Sequence, residues 1–125
     1  MSRLQDIELL RHIAEALEKI LRHTKGKTFN QIYDDENLYD AIIRRFEIMG
    51  EASTKISQGT REKYSELPWR EMTGMRNRLI HNYFDIDSTI LWNTIKDSLP
   101  DLQVLLKSVI EKELSPSKEN NIEKK

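Results

Sequence analysis

The 125-residue sequence has no cysteine, which excludes disulfide bonds, thiolate nucleophiles and cysteine-ligated zinc. Glycine (4 residues), proline (3 residues) and aromatic side chains (7%) are scarce, whereas 33% of the residues are charged. This balance favours helices over a β-sandwich. The segment Met1–Asp6 has no apolar signal, and no apolar run approaches the ~18 residues of a membrane span. We therefore expect a cytoplasmic protein that does not contact membranes.

Histidines and charges are unevenly spread. His12, His23 and His81 show no metal-ligand spacing, so we expect no metal and no cofactor, and we interpret His12 and His23 as structural. The net charge of −1 argues against a generally sticky nucleic-acid-binding surface. Residues 44–78, however, carry eight Lys/Arg against five Asp/Glu, while the segments on either side are each net −2. This positive segment suits an RNA-facing cleft, although a difference of this size also arises by accident.

Residues 74–85 (GMRNRLIHNYFD) are the one stretch that combines cationic, imidazole, amide and phenol side chains without an apolar period. Arg76, His81 and Tyr83 follow the pattern Arg, any four residues, His, any residue, Tyr. A guanidinium offers phosphate a planar fork of permanent charge, and an imidazole passes protons in either direction. The pair can therefore hold a phosphodiester and move the protons that its cleavage requires, in principle without a metal. The spacing alone is common, and His81 could equally be a hydrogen-bonded histidine at a helix end.

Helix geometry limits how these residues can meet. At about 100° per residue, Arg76 and Tyr83 lie almost on one line, but His81 lies roughly 140° away from Arg76. Two explanations are open. Either the helix loosens near His81, or the residues converge with those of a second chain in a symmetric dimer.

The apolar periodicity predicts four long helices and a short one. The first opens at a capping box formed by Ser2 and Gln5 and ends near residue 24, before Gly26. Its apolar stripe consists of Leu4, Ile7, Leu10, Ala14, Leu17, Ile20 and Leu21. A polar connection then contributes Phe29 and Ile32 as anchors. The second helix runs from about Asp35 to Gln58, with a buried line formed by Leu38, Ala41, Ile42, Phe46, Met49, Ala52 and Ile56.

Turn and cap residues place the remaining helices. Gly59-Thr60 caps a short third helix, Arg61–Leu67, and Pro68 starts a fourth. Asp87 or Ser88 caps a fifth helix, in which Pro100 predicts a kink. Residues 115–125 (SPSKENNIEKK) lack apolar content and should form a disordered tail. The sequence thus predicts an all-α up-and-down bundle, a single domain over residues 1–114.

Two features of the second helix bear on its surroundings. Glu47 and Glu51, one turn apart, would suit a pair of catalytic carboxylates, but an ordinary solvated or salt-bridged face is the favoured interpretation. Gly50 costs helix stability by ~1 kcal/mol relative to alanine, so we predict that another helix approaches closely there.

Three segments together resemble one family. Residues 40–52 (DAIIRRFEIMGEA), 67–77 (LPWREMTGMRN) and 81–87 (HNYFDID) resemble the HepT-like branch of the HEPN superfamily, the toxin half of bacterial and archaeal HEPN/MNT toxin–antitoxin pairs. The resemblance extends roughly from Leu4 to Leu114. It implies a HEPN-type helical bundle that forms a homodimer, with two copies of the motif facing a shared cleft, and a metal-independent endoribonuclease activity.

The resemblance also implies residue roles. Arg76 and His81 match the family's catalytic pair, Asn77 matches the polar residue that follows the arginine, and Tyr83 matches the third motif position. In related pairs the antitoxin is a minimal nucleotidyltransferase (MNT) that transfers AMP from ATP to the motif tyrosine, here Tyr83. Adenylate beside Arg76 would occupy the anion site and repel RNA.

Two other interpretations remain open. In the first, the protein is a non-catalytic bundle that binds a nucleotide or a partner and packs against a nucleotidyltransferase. In the second, it is a structural dimer in which the motif is an accident. The intact pair of Arg76 and His81 favours the enzyme, because a binding module has no need of a titrating group. Which RNA would be cut is not encoded in any recognisable pattern.

Overall fold

The structure, a computed structural model, describes residues 3–81 and 87–115, apart from the side chains of residues 3, 80 and 81. This part of the chain is helical with no strand, in agreement with the all-α prediction. The predicted cap at Ser2, Tyr83 and most of the predicted tail lie outside the described residues. The helices are α1 (Arg3–Thr24), α2 (Phe29–Tyr33), α3 (Glu36–Lys55), α4 (Gln58–Lys63), α5 (Trp69–His81), α6 (Ser88–Asn93) and α7 (Leu99–Glu113).

Helix α3 lies at the centre of the bundle. It packs against α1 on one side and α5 on another, and α7 packs against α1. Apolar residues at helical spacing meet in one core, and removing this area from water is the main stabilising contribution. Its most deeply buried large members are Leu10, Ile13, Leu17, Ile20, Ile56, Leu79, Leu99 and Leu106. Within the described residues, no helix has the length and apolar character needed to cross a membrane.

Two helix boundaries differ from the predictions. Helix α3 ends at Lys55 instead of Gln58, because Ile56 adopts an extended backbone and Ser57 begins the next helix. The predicted third helix, Arg61–Leu67, is wrong by about one turn. Its true N-cap is Ser57, whose hydroxyl accepts from the backbone N–H of Thr60 at 3.4 Å.

Two predicted core positions are wrong. Leu4 is 76% exposed, because it lies in the first turn of α1, before the helix meets its neighbours. Ala41 is also exposed, whereas its neighbours Ile42 and Ile43 are both buried. The buried stripe of α3 is therefore shifted by one residue at that point.

The predicted fifth helix is interrupted. Asp87 caps α6 as predicted, its carboxylate accepting from Thr89 N at 2.9 Å. A wide π-helical turn, Thr94–Ser98, then separates α6 from α7. Pro100 follows this turn in the first turn of α7, where its missing N–H breaks no helical hydrogen bond. The irregularity therefore precedes Pro100.

The polar connection after α1 contains a short helix that the sequence analysis missed. Thr28 and Gln31 form a reciprocal capping box at the start of α2. Thr28 N donates to Gln31 Oε1 at 2.8 Å, and Gln31 N donates to Thr28 Oγ1 at 3.2 Å. Ile32 is buried and Phe29 is half-buried, as the prediction of anchors required. The rings of Phe29 and of Trp92 in α6 also pack edge to face, with their centroids 6.0 Å apart.

Short α4 holds the beginning of α1. The buried carboxylate of Asp6 accepts from Ser57 N at 3.1 Å, Ser57 Oγ at 2.5 Å and Thr60 Oγ1 at 2.6 Å. Burial raises the pKa of Asp6, but the hydrogen bonds from Ser57 and Thr60 outweigh it and hold the pKa below its usual value. Asp6 is thus an ionised buried anchor.

The same helix also holds the end of α7. Glu113, only 5% exposed, accepts a hydrogen bond from the hydroxyl of Tyr64 and pairs with Lys63 Nζ at 3.0 Å. Both contacts join segments about fifty residues apart in sequence. Helix α4 therefore connects the first and last helices of the bundle.

Candidate active site

Helix α5 carries the first half of the motif and begins where the sequence predicts. Pro68 leaves no N–H to satisfy, its carbonyl accepts from Met72 N at 3.0 Å, and the indole N–H of Trp69 donates to Tyr64 O at 3.0 Å. Met72 and Leu79 are buried against the core, and this face fixes the rotation of α5. The helix then continues without interruption to His81.

Helices α3 and α5 approach closely at Gly50. A Cβ built on Gly50 would lie 2.2 Å from Cβ of Arg76 and 2.9 Å from the carbonyl oxygen of Met72. One turn later on α3, the buried Ser53 turns its hydroxyl back to the carbonyl of Gly50 at 2.7 Å and lies 3.5 Å from Thr73 Oγ1. The prediction of a close helix contact at Gly50 is confirmed, and it brings the backbone of α3 against the motif arginine.

The guanidinium of Arg76 is held from two directions. Its Nε donates to Glu51 Oε2 at 2.8 Å, and Nη1 donates to Asn77 Oδ1 at 2.9 Å. The Arg76 side chain is 29% exposed and that of Glu51 is 45% exposed, so the pair lies at the surface with one side packed. Two contacts restrict the plane of a guanidinium that carries five N–H donors in all. Such a group is oriented before any anion arrives.

Glu51 is a direct neighbour of Arg76 that was not predicted from the sequence. The favoured interpretation of Glu47 and Glu51 as a salt-bridged face agrees with the structure. Glu47 Oε1 lies 3.9 Å from Arg44 Nη1, and Glu51 Oε1 lies 3.9 Å from Lys55 Nζ. The additional contact of Glu51 with Arg76 crosses between helices. The available signal was the adjacent Gly50, which marks the place where α3 and α5 meet.

Arg76 also lines a cleft of about 290 Å³ between α1 and α3. The cleft has an apolar floor and a charged rim. It is lined by Leu9, His12, Arg44, Glu47, Ile48, Glu51, Ala52, Lys55 and Arg76. His12, interpreted from the sequence as structural, is exposed and belongs to this lining.

The structure brings together only part of the predicted site. Arg76 and Asn77 are in contact, and Arg78 on the next position is exposed. His81 is placed by its backbone as the last residue of α5, but its side chain and all of Tyr83 lie outside the described residues. In the described part of the chain, no three His, Asp or Glu side chains are grouped as metal ligands would be.

Comparison with known proteins identifies similar sequences. Residues 13–109 match the family model described as "Ribonuclease HepT-like". The chain is 42% identical over 96 residues to "Probable ribonuclease HepT" of Thermococcus cleftensis, which covers 77% of this chain and 87% of that protein. It is 38% identical over 104 residues to "Putative RNase TTE0752" of Caldanaerobacter subterraneus subsp. tengcongensis, and the match covers 83% of this chain and 93% of that protein. No solved structure matches the chain.

Proposed function

Since the chain belongs to the HepT-like ribonuclease family, we propose that it is a metal-independent endoribonuclease, the toxin of a type II toxin–antitoxin pair. The observation that carries this proposal is the guanidinium of Arg76, oriented by Glu51 and Asn77 five residues before His81. A charged donor fixed in this way suits a phosphate whose negative charge grows during reaction. Because we propose RNA as the substrate, we also propose that the protein acts in the cytoplasm.

Arg76 would act on the phosphorus centre. Its guanidinium stabilises the charge of the phosphorane-like transition state by charge-assisted hydrogen bonds to the equatorial oxygens. Because Glu51 and Asn77 already restrict the guanidinium, little reorganisation is needed when the substrate binds. Asn77 would additionally orient the phosphate or the imidazole.

His81 would move the protons. The 2′-hydroxyl of RNA loses its proton to an imidazole and attacks the adjacent phosphorus, and the 5′-oxygen leaves with a proton from an imidazole. The products are a 2′,3′-cyclic phosphate and a 5′-hydroxyl. DNA lacks the attacking group, so it should not be cut.

We propose that two chains supply the site. The continuous helix to His81 supports this, because a regular helix keeps the positions of Arg76 and His81 about 140° apart around the axis. Of the two explanations, a loosened helix or a second chain, the regular backbone favours the second. A homodimer with one shared cleft would then bring two arginines and two histidines together.

We further propose that a nucleotidyltransferase of the MNT type is the antitoxin and that it transfers AMP to Tyr83. An adenylate on Tyr83 adds one negative phosphodiester charge close to Arg76 in the sequence. The adenylate phosphate would bind the guanidinium of Arg76 and repel the RNA backbone. The resemblance to HEPN/MNT toxins supports both the partner and the modification.

The proposal is tested with the purified chain, free of any partner, on mixed cellular RNA in EDTA. His81→Ala and Arg76→Ala serve as inactive variants, and Arg70→Ala, an exposed cation on the same helix, serves as the control. We expect cutting by the wild type and Arg70→Ala only, with cyclic-phosphate ends. Chelation should leave the rate unchanged.

The negative outcome has two parts. If neither the wild type nor Arg70→Ala cuts RNA, the intact mass of the wild type shows whether Tyr83 already carries adenylate. Tyr83→Phe, which cannot be modified at this position, is the control. An unmodified and inactive wild type would contradict the nuclease and support a non-catalytic bundle that binds a nucleotide or a partner.

A further inference from the structure

We propose that the cleft between α1 and α3 is an RNA-binding subsite, which seats the strand beside the phosphate held by Arg76. This inference rests on the proposed ribonuclease function and adds to it the path of the substrate. The cleft encloses about 290 Å³ and has Arg76 in its lining. A strand bound there would therefore reach the motif without leaving the surface of the protein.

The cations of the cleft follow one line. Arg44 and Lys55 are eleven residues apart on α3, which places them within about 20° of one another around the axis and about 16 Å apart along it. The guanidinium of Arg76 contacts Glu51, which lies between these two positions on the same face of α3. Three cations in a row match a chain of phosphates better than they match one small anion.

The outer cations are loosely held, in contrast to Arg76. Arg44 lies 3.9 Å from Glu47, Lys55 lies 3.9 Å from Glu51, and the two cationic side chains are 69% and 59% exposed. Ion pairs of this length and exposure contribute little to stability, so either cation can turn toward a phosphate at small cost. Arg76, with its 2.8 Å contact to Glu51, stays fixed. The cleft thus combines one fixed cation with two adaptable cations.

The remaining lining suits a nucleotide rather than bare phosphate. Leu9 and Ile48 are half-buried and offer an apolar floor on which a base can lie. Glu47 accepts hydrogen bonds, which phosphate cannot donate but the 2′-hydroxyl and exocyclic amines of RNA can. His12 adds ring nitrogens on the opposite wall, supplied by α1. Because DNA has the same exocyclic amines but lacks the 2′-hydroxyl, a hydrogen bond from that hydroxyl to Glu47 would favour RNA over DNA.

The test is RNA binding in a His81→Ala background, measured by fluorescence anisotropy with a labelled single strand at several salt concentrations. Arg44→Gln/Lys55→Gln is compared with Arg22→Gln, which removes an exposed cation that also pairs at i,i+4, with Glu18 at 3.6 Å. We expect the double variant to lose about tenfold in affinity and its salt slope to fall by about 1.4, while Arg22→Gln matches the background. His12→Ala should also weaken binding, and DNA of the same sequence should bind less tightly.

The outcomes separate this inference from the nuclease. Equal affinity and salt slope for the double variant and Arg22→Gln would overturn the subsite, even if the wild type cuts RNA in EDTA. Equal affinity for RNA and DNA would overturn the assignment to RNA. If the double variant loses affinity as expected while the wild type does not cut, the subsite stands and the nuclease fails. Helicity measured by circular dichroism excludes misfolding as the cause.

Discussion

The Cα of Gly50 lies so close to Arg76 that an added Cβ would come within 2.2 Å of the arginine's own Cβ. Contact at this distance is between backbone-anchored atoms, which a change of side-chain rotamer cannot relieve. The glycine therefore determines where the motif arginine stands relative to α3. The packing of α3 against α5 and the position of the candidate catalytic arginine depend on this one contact.

Gly50→Ala should destabilise the fold although alanine is the better helix former. The gain in helix propensity is ~1 kcal/mol, whereas forcing α3 and α5 apart costs about 1–3 kcal/mol, and Arg76 moves as well. Gly74→Ala is the matched control, since a Cβ there meets nothing within 4 Å and should stabilise α5 by about 0.5–1 kcal/mol. Urea unfolding measures both. A Gly50→Ala protein as stable and active as the wild type would refute the close contact.

Glu51→Gln should lower the rate of RNA cutting without weakening RNA binding. Glutamine keeps the shape but loses the charge that fixes the Nε of Arg76, and a misplaced arginine costs on the order of tenfold in turnover. Removing a negative charge beside the substrate should leave the KM equal or lower. Glu47→Gln, one turn earlier on the same face, is the control, because it removes a charge from the same cleft at a residue that pairs with Arg44 and not with Arg76. Equal effects of both variants on kcat would rule out a positioning role for Glu51.

Mixing two inactive variants should restore activity if two chains build each site. In a mixture of Arg76→Ala and His81→Ala chains, about half of the dimers are mixed. In each mixed dimer the shared cleft keeps one arginine and one histidine, supplied by different chains, and so one of its two arginine–histidine pairs is intact. The expected recovery is therefore about a quarter of the wild-type rate, after subunit exchange that native mass spectrometry monitors. Persistent inactivity of mixed dimers would show that each chain supplies its own pair.

Asp6→Asn should destabilise the protein at neutral pH and much less in acid. Because the folded-state pKa of Asp6 is lowered, its contribution is fully present above the unfolded value of about 3.9 and is lost as the pH falls through the folded pKa. The substitution should cost about 1–3 kcal/mol at pH 7. Urea midpoints at pH 7 and pH 3 measure this difference. A constant difference at both pH values would contradict an ionised Asp6.

The sequence predicts the elements that periodicity and caps determine. The cap at Asp87 and the start of α5 after Pro68 rest on local rules, and the structure agrees with both. The predicted stripe of α1 is buried at Ile7, Leu10, Leu17 and Ile20 but not at Leu4. The family could also be identified from motif order, and the family model agrees. Gly50 shows that a single residue with an energetic cost can predict a tertiary contact.

Errors arose where tertiary contacts overrule local pattern. The start of α4 depends on Asp6, 51 residues away in sequence, whose contacts favour Ser57 as the cap. The role of Glu51 depends on which helix approaches α3, and periodicity does not contain that information. Proline marked the irregularity in the last helices but placed it one turn too late, because a wide turn needs no proline.

The two anchors on α4 also define a force path through the molecule. Tension applied between the start of α1 and the end of α7 would load α4 through Asp6 at one end and Glu113 at the other, in parallel with the direct packing of α7 against α1. Helix α4 is six residues long, about 9 Å, so the two loading points lie close together. The last turns of α5 lie outside that path. Fused tags or a surface tether at both ends would therefore pull on α4 and on the contact of α1 with α7, whereas the hydrogen bonds of Arg76 lie on α3 and α5.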